Sequence, residues 1–108
     1  MTFTHPHQRN DWIALETARC VARRLRENPT LVAEGVRRIQ ASRDRGRDFS
    51  AYREWAEIIQ TRSADEIAEI LESETEEGQR LRSSRPFVGP LFVTEQERKD
   101  IIESAFAG

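Results

Sequence analysis

The chain has 108 residues, 37% hydrophobic and 33% charged, with a formal net charge of −2, which bounds it to one domain with one modest core. A single cysteine excludes an internal disulfide and a cysteine-rich metal site. No stretch reaches the roughly 18 apolar residues of a membrane helix, and the opening MTFTHPHQRNDW has no apolar signal-peptide core, so a soluble, cytoplasmic protein without membrane contact is expected.

In chain order, residues 1–9 read as a flexible N-terminus and residues 10–108 as a single helical domain. Asn10 or Asp11 caps a first helix whose stripe is Trp12, Leu15, Ala18, Ala22 and Leu25, ended by Asn28-Pro29. Pro29 opens a second helix with Val32, Val36 and Ile39 on one face, fading into SRDRGRD with Gly46 as its stop. Asp48 or Ser50 opens a third, with Tyr52, Trp55 and Ile58 or Ile59 inward. Three capping boxes follow, Ser63 with Glu66, Ser73 with Glu76 and Thr94 with Glu97, each pairing a hydroxyl and a carboxylate with the other residue's backbone amide. Behind the first, Ile67, Ile70 and Leu71 point inward; behind the last, Ile101, Ile102 and Ala105 or Phe106 do. No period-two alternation occurs, and Gly89-Pro90 makes FVGPLFV a turn rather than a strand. The predicted fold is all-α, a compact bundle of five or six short helices with an irregular Pro/Gly segment before the last helix.

Charge is unevenly placed. Ten arginines and five acidic residues precede Asp48, a local balance of +5 that leaves −7 for the remainder. Such asymmetry suits either an anionic partner for the first half and a basic one for the second, or two halves of one domain facing each other. Arg19, Arg23 and Arg26 share one helix face, and Arg37, Arg38, Arg43, Arg45 and Arg47 follow, so a nucleic-acid surface is one reading. The other is a solvated face paired with Glu16, Glu27 and Glu34 at helical spacing.

Equipment for catalysis is sparse. His5 and His7 lie outside the predicted folded body and are too few for a metal site, no serine or cysteine has a histidine base in that body, and no Gly-rich phosphate loop occurs. No catalytic residue, metal or cofactor is expected. Interest centres instead on SETEEGQRLRSSRPFVGPLF. Glu74, Glu76 and Glu77 crowd a helix start, Arg80, Arg82 and Arg85 follow, and Phe87, Val88, Leu91 and Phe92 sit in a segment too broken to bury them on a regular face. These apolar residues either fold back on the core as a lid, expected for at least Phe87 and Leu91, or insert into a partner.

The succession LRENPTLV, YREWAEII, SADEIAEIL, GQRLRSSRPFVGPL and TEQERKDII resembles a group of small bacterial antitoxin-like proteins paired with nucleotidyltransferase-type toxins, over roughly residues 25 to 102. That group has a polar residue where Arg85 stands and a freer one where Pro90 stands. A second resemblance is confined to Ser73-Glu74-Thr75-Glu76-Glu77-Gly78, which is similar to the inhibitory motif of antitoxins that restrain Fic-domain AMP-transferases. It implies that Glu77 would pair with an active-site arginine of such an enzyme. Together these imply a non-enzymatic protein that occludes a cognate toxin, its acidic second half meeting a basic cleft and Trp55, Arg82, Phe87, Leu91 and Phe92 anchoring it. Trp55 also reads as a plain core residue. The alternative is a DNA-binding regulator or operon autorepressor contacting operator phosphates through Arg19, Arg23, Arg26, Arg37 and Arg38.

Overall fold

The computed structural model describes residues 3–107. Over these, the chain is all-α: α1 (Pro6–Glu27), a 3-10 turn (Pro29–Leu31), α2 (Val32–Asp44), α3 (Ser50–Thr61), α4 (Ala64–Glu72), α5 (Glu76–Arg82) and α6 (Glu95–Phe106). No described residue is in a strand, and no described helix is long and apolar enough to cross a membrane.

Helix α1 is the central post. Leu15, Ala18, Val21, Ala22 and Leu25 are buried along it, and α4 packs on it most extensively, with α6 and α5 beside. Its start corrects the expected boundary: the helix begins at Pro6, not after Asn10 or Asp11, so residues 6–9 belong to it and not to a flexible leader. Proline suits a first turn, where its missing N–H has no helical partner to lose. The Thr4 amide and hydroxyl both donate to Gln8 Oε1, at 3.0 and 2.6 Å, and Arg9 lies 4.4 Å above the Phe106 ring. Cys20 is buried on α1, its thiol pushed up by burial and by the nearby Glu97 carboxylate.

Pro29 opens the 3-10 turn rather than α2 itself, with the Asn28 side chain accepting from the Thr30 amide. Along α2 the inward side is Gly35 and Ile39, whereas Val36, expected inward, stays largely exposed because the helix turns Gly35 to its neighbours. Gly46, at φ +75°, follows the end of α2. In α3, Trp55 is fully buried and donates its indole N–H to the Leu81 carbonyl at 3.0 Å.

The boxes at Ser63/Glu66 and Thr94/Glu97 are both formed in full. The one at Ser73/Glu76 is not. Ser73 instead ends α4, its hydroxyl 2.7 Å from that of Thr75, and Thr75 caps α5 by accepting from the Gly78 amide at 3.1 Å. Starting α5 at Glu74 would abut two helices directly; the extended residues Ser73 and Thr75 separate them, and Gly78 then sits so close to the Ser73 carbonyl that a Cβ would collide with it.

The segment 83–94 closes the molecule as a strap. Phe87 packs edge-on against Trp55 at 5.7 Å and Phe92 at 5.6 Å, and all three rings are buried. Gly89, at φ +99°, makes the turn, its carbonyl accepting from the amides of Phe92 and Val93 at 3.0 and 3.1 Å. The α2–α3 pair is thus joined to the α1–α4–α5–α6 group through side chains: Trp55 to Leu81, Glu54 to Arg80, and Phe87 between them.

At the far end of the strap, Arg24 donates to the Phe92 carbonyl at 2.8 Å and pairs with Glu97 at 2.8 Å, while Arg23 takes the other Glu97 oxygen. Burial alone would raise the Glu97 carboxyl, but hydrogen bonds from Arg24 and from Thr94 override it and hold it at about 2. A carboxylate held below its unfolded value of about 4.3 contributes stability that is present above that pH and lost as pH falls towards the folded value; for Glu97 the contribution is about 3 kcal/mol. Urea melts are therefore expected to lose stability between about pH 5 and pH 2, with Glu97→Gln less stable than the parent at neutral pH and showing a shallower acid slope. An unchanged slope would remove Glu97 from the account.

Candidate anion-binding groove

The residues expected to form one docking surface do not share one. Arg82 is only 4% exposed. Its guanidinium donates to the Ser73 carbonyl, and burial lowers its pKa against the opposing pull of Asp11 and Glu74. Arg85 is largely desolvated, its pKa lowered by burial, and it donates to the Arg82 carbonyl at 3.2 Å. Phe87 and Phe92 belong to the core, as does Trp55. None of these five is a ready contact for another molecule: aromatic and long cationic side chains bury large apolar areas, and a small domain spends them on its own core. Leu91 departs from the lid expectation in the other direction, since it stands 58% exposed on the strap.

The acidic end is largely compensated from within. Arg80 makes two hydrogen bonds of 2.8 Å to the Glu54 carboxylate and also binds Glu77, which raises the arginine and lowers both acids. Each distinctive letter of the Ser73–Gly78 motif therefore has an intramolecular partner: Ser73 with Thr75 and Arg82, Gly78 against Ser73, Glu77 with Arg80. Glu74 and Glu76 remain exposed at the α4–α5 junction.

The arginines divide in the same way. On α1, Arg19 pairs with Glu16, Arg23 with Glu97, and Arg26 with Glu72 at 2.6 Å. Two of these pairs join the basic half of the chain to the acidic half. Arg37 pairs with Glu34, and Arg43 approaches Asp48 at 3.6 Å. Among the described residues, Arg38, Arg45 and Arg47 form no ion pair.

Those three gather at one place. A half-open groove of about 510 Å³ runs between α2, the α2–α3 loop and the strap, with Arg37, Arg38, Arg45 and Arg47 along one side. Pro86, Val88 and Leu91 of the strap form the other, and Phe49 and Tyr52 close the end, their rings edge-on at 6.0 Å. Phe49 is 54% exposed. The α2 side is built by helical spacing, since positions 34, 37, 38, 41, 42 and 45 fall on one face. The strap side exists because Phe87 and Phe92 turn inward while Leu91, among the residues between them, stays outside.

The chain matches no family model, no curated protein and no solved structure. The groove is thus read from its own chemistry. A guanidinium keeps its charge at any physiological pH and grips carboxylate or phosphate through a planar fork of donors; beside an apolar wall it suits a ligand that is anionic on one edge and greasy on the other. The sequence offered Arg45 and Arg47 either as part of a nucleic-acid surface or as a solvated face, and did not place Phe49 at all. The available signal was the arginine spacing across the end of α2, followed directly by an aromatic residue at position 49.

Proposed function

We propose that this chain is an antitoxin-like inhibitor, a small helical protein that binds a nucleotidyl-transferring partner and occludes it, and that its docking face is the groove bordered by the strap. The observation that carries this reading is the strap's division of labour. RLRSSRPFVGPL, the most distinctive stretch of the resemblance, buries Phe87, the next residue Phe92 is buried as well, and Leu91 between those two anchors is held out to line the groove with the exposed Phe49. An exposed apolar pair on a rigid body, ringed by uncompensated arginines, has the make-up of an interface centre and rim. The acidic end, with Glu77 and Glu54 tied to Arg80, is the weaker candidate.

The test is recovery of the tagged chain from its native host together with whatever binds it stoichiometrically, followed by assay of that partner for nucleotidyl or AMP transfer with and without the chain. The expected result is a partner whose transfer activity is suppressed in the complex, with Leu91→Asp weakening the complex while leaving the circular dichroism unchanged. Absence of a stoichiometric protein partner, a partner whose activity is indifferent to the chain, or a complex untouched by Leu91→Asp would each refute the reading.

A further inference from the structure

Resting on that docking reading, we infer that the groove takes an acidic segment of the partner, with carboxylates on Arg38, Arg45 and Arg47 and a neighbouring apolar side chain on Leu91 and Phe49. This reverses the sign expected from the sequence, in which the acidic half was to meet a basic cleft.

Three observations carry it. The first is charge. The exposed cations of α1 and α5 are already answered: Arg19, Arg23 and Arg26 by Glu16, Glu97 and Glu72, and Arg80 by Glu54 and Glu77. Arg38, Arg45 and Arg47 have no such acid, yet they line one concave surface. Holding three like charges around a groove costs electrostatic free energy in the free protein, and an anionic occupant relieves it.

The second is the groove's apolar wall. Val88 and Leu91 are aliphatic and line the same groove as the arginines, so the occupant must present both an anionic edge and an apolar edge. A peptide with alternating acidic and aliphatic side chains does this with ordinary residues.

The third separates peptide from nucleic acid, which has the same sign. Binding to a phosphate backbone gathers affinity from a track of many cations. Here the free cations end at the groove: Glu34 on its α2 side pairs with Arg37, Asp48 holds Arg43 and Arg53 at 3.6 and 3.4 Å, and Arg19, Arg23, Arg24 and Arg26 of α1 are paired.

The experiment uses the full chain in two arms. In the first, the native complex is formed with the parent, with Arg38→Glu/Arg45→Glu, and with Leu91→Asp. The expected result is that the charge-reversed double variant weakens the complex about tenfold or more. Those arginines are exposed, so its melting temperature should match the parent's. If Leu91→Asp weakens the complex and the arginine variant does not, docking at the groove stands and the acidic occupant is wrong. Should neither variant matter, the docking reading itself has failed. In the second arm, fluorescence anisotropy reads binding of a short synthetic peptide of Asp, Glu and Leu, its Arg-for-acid twin, and single-stranded oligothymidine. Saturable binding of the acidic peptide alone, lost in the double variant, is the expected pattern. Binding of oligothymidine but not the acidic peptide would overturn the inference in favour of a nucleic-acid groove, and binding of none would overturn it outright.

Discussion

Replacing Phe87 with alanine is expected to cost about 3 to 5 kcal/mol, a large part of the roughly 5 to 15 kcal/mol that stabilises a domain of this size. The ring is fully buried and touches both Trp55 and Phe92 edge-on, at 5.7 and 5.6 Å. Truncation therefore removes two aromatic contacts as well as apolar burial, and leaves a cavity between the α2–α3 pair and the rest of the molecule. At about 4 to 8 °C per kcal/mol the melting temperature should fall by more than 12 °C. Trp55 fluorescence should shift to the red as its pocket wets, and Phe87→Leu should recover much of the loss. A melting point within a few degrees of the parent's would mean that the strap does not hold the two groups of helices together.

Gly35→Ala is expected to destabilise by about 2 kcal/mol, although alanine is the better helix former by about 1 kcal/mol. The added Cβ would lie 2.9 Å from Phe87 Cδ1 and closer still to Cε1, so the ring or the helix must move. Because the clash is with one side chain, combining Gly35→Ala with Phe87→Leu should cost less than the sum of the two single changes. Thermal melts of the four proteins decide it. Strict additivity, or a stabilised Gly35→Ala, would show that α2 and the strap do not meet as described.

The helices were legible in the sequence where punctuation and periodicity agreed. Ser63 and Thr94 each have a glutamate three places on and no competing cap, and both boxes formed. Ser73 had Thr75 two residues away, and tertiary packing of Gly78 against Ser73 chose between them, which local pattern cannot express. Val36 was misplaced for the same kind of reason. Hydrophobic spacing put it inward, but α2 is oriented by the close approach of Gly35 to Phe87, a residue far away in the chain.

The candidate site was harder still. The sequence marked FVGPLF as unusual and put Phe87 and Leu91 inward, but only Phe87 of that pair is buried, because which side chains turn in depends on a cavity framed by Trp55, Gly35 and Phe92. Arginine counts likewise could not separate neutralised cations from free ones. Arg23 finds its acid at Glu97 and Arg26 at Glu72, pairs visible only once α1 is laid against α6 and α4.

The strap also bears on the order of events in folding. The ties at the strap and just before it reach across long loops of chain: Trp55 to Leu81 of α5 spans 26 residues, and Arg24 to Phe92 of the strap spans 68. Contacts of such separation must offset loop-closure entropy before they contribute, so helix pairs close in sequence gain their contacts first. Arg45, Arg47 and Phe49 are near neighbours in the chain, but Leu91 reaches the groove only when the strap docks. The groove is therefore completed only when the strap docks, late in folding, and a nascent chain lacks it until residues beyond Phe92 have been made.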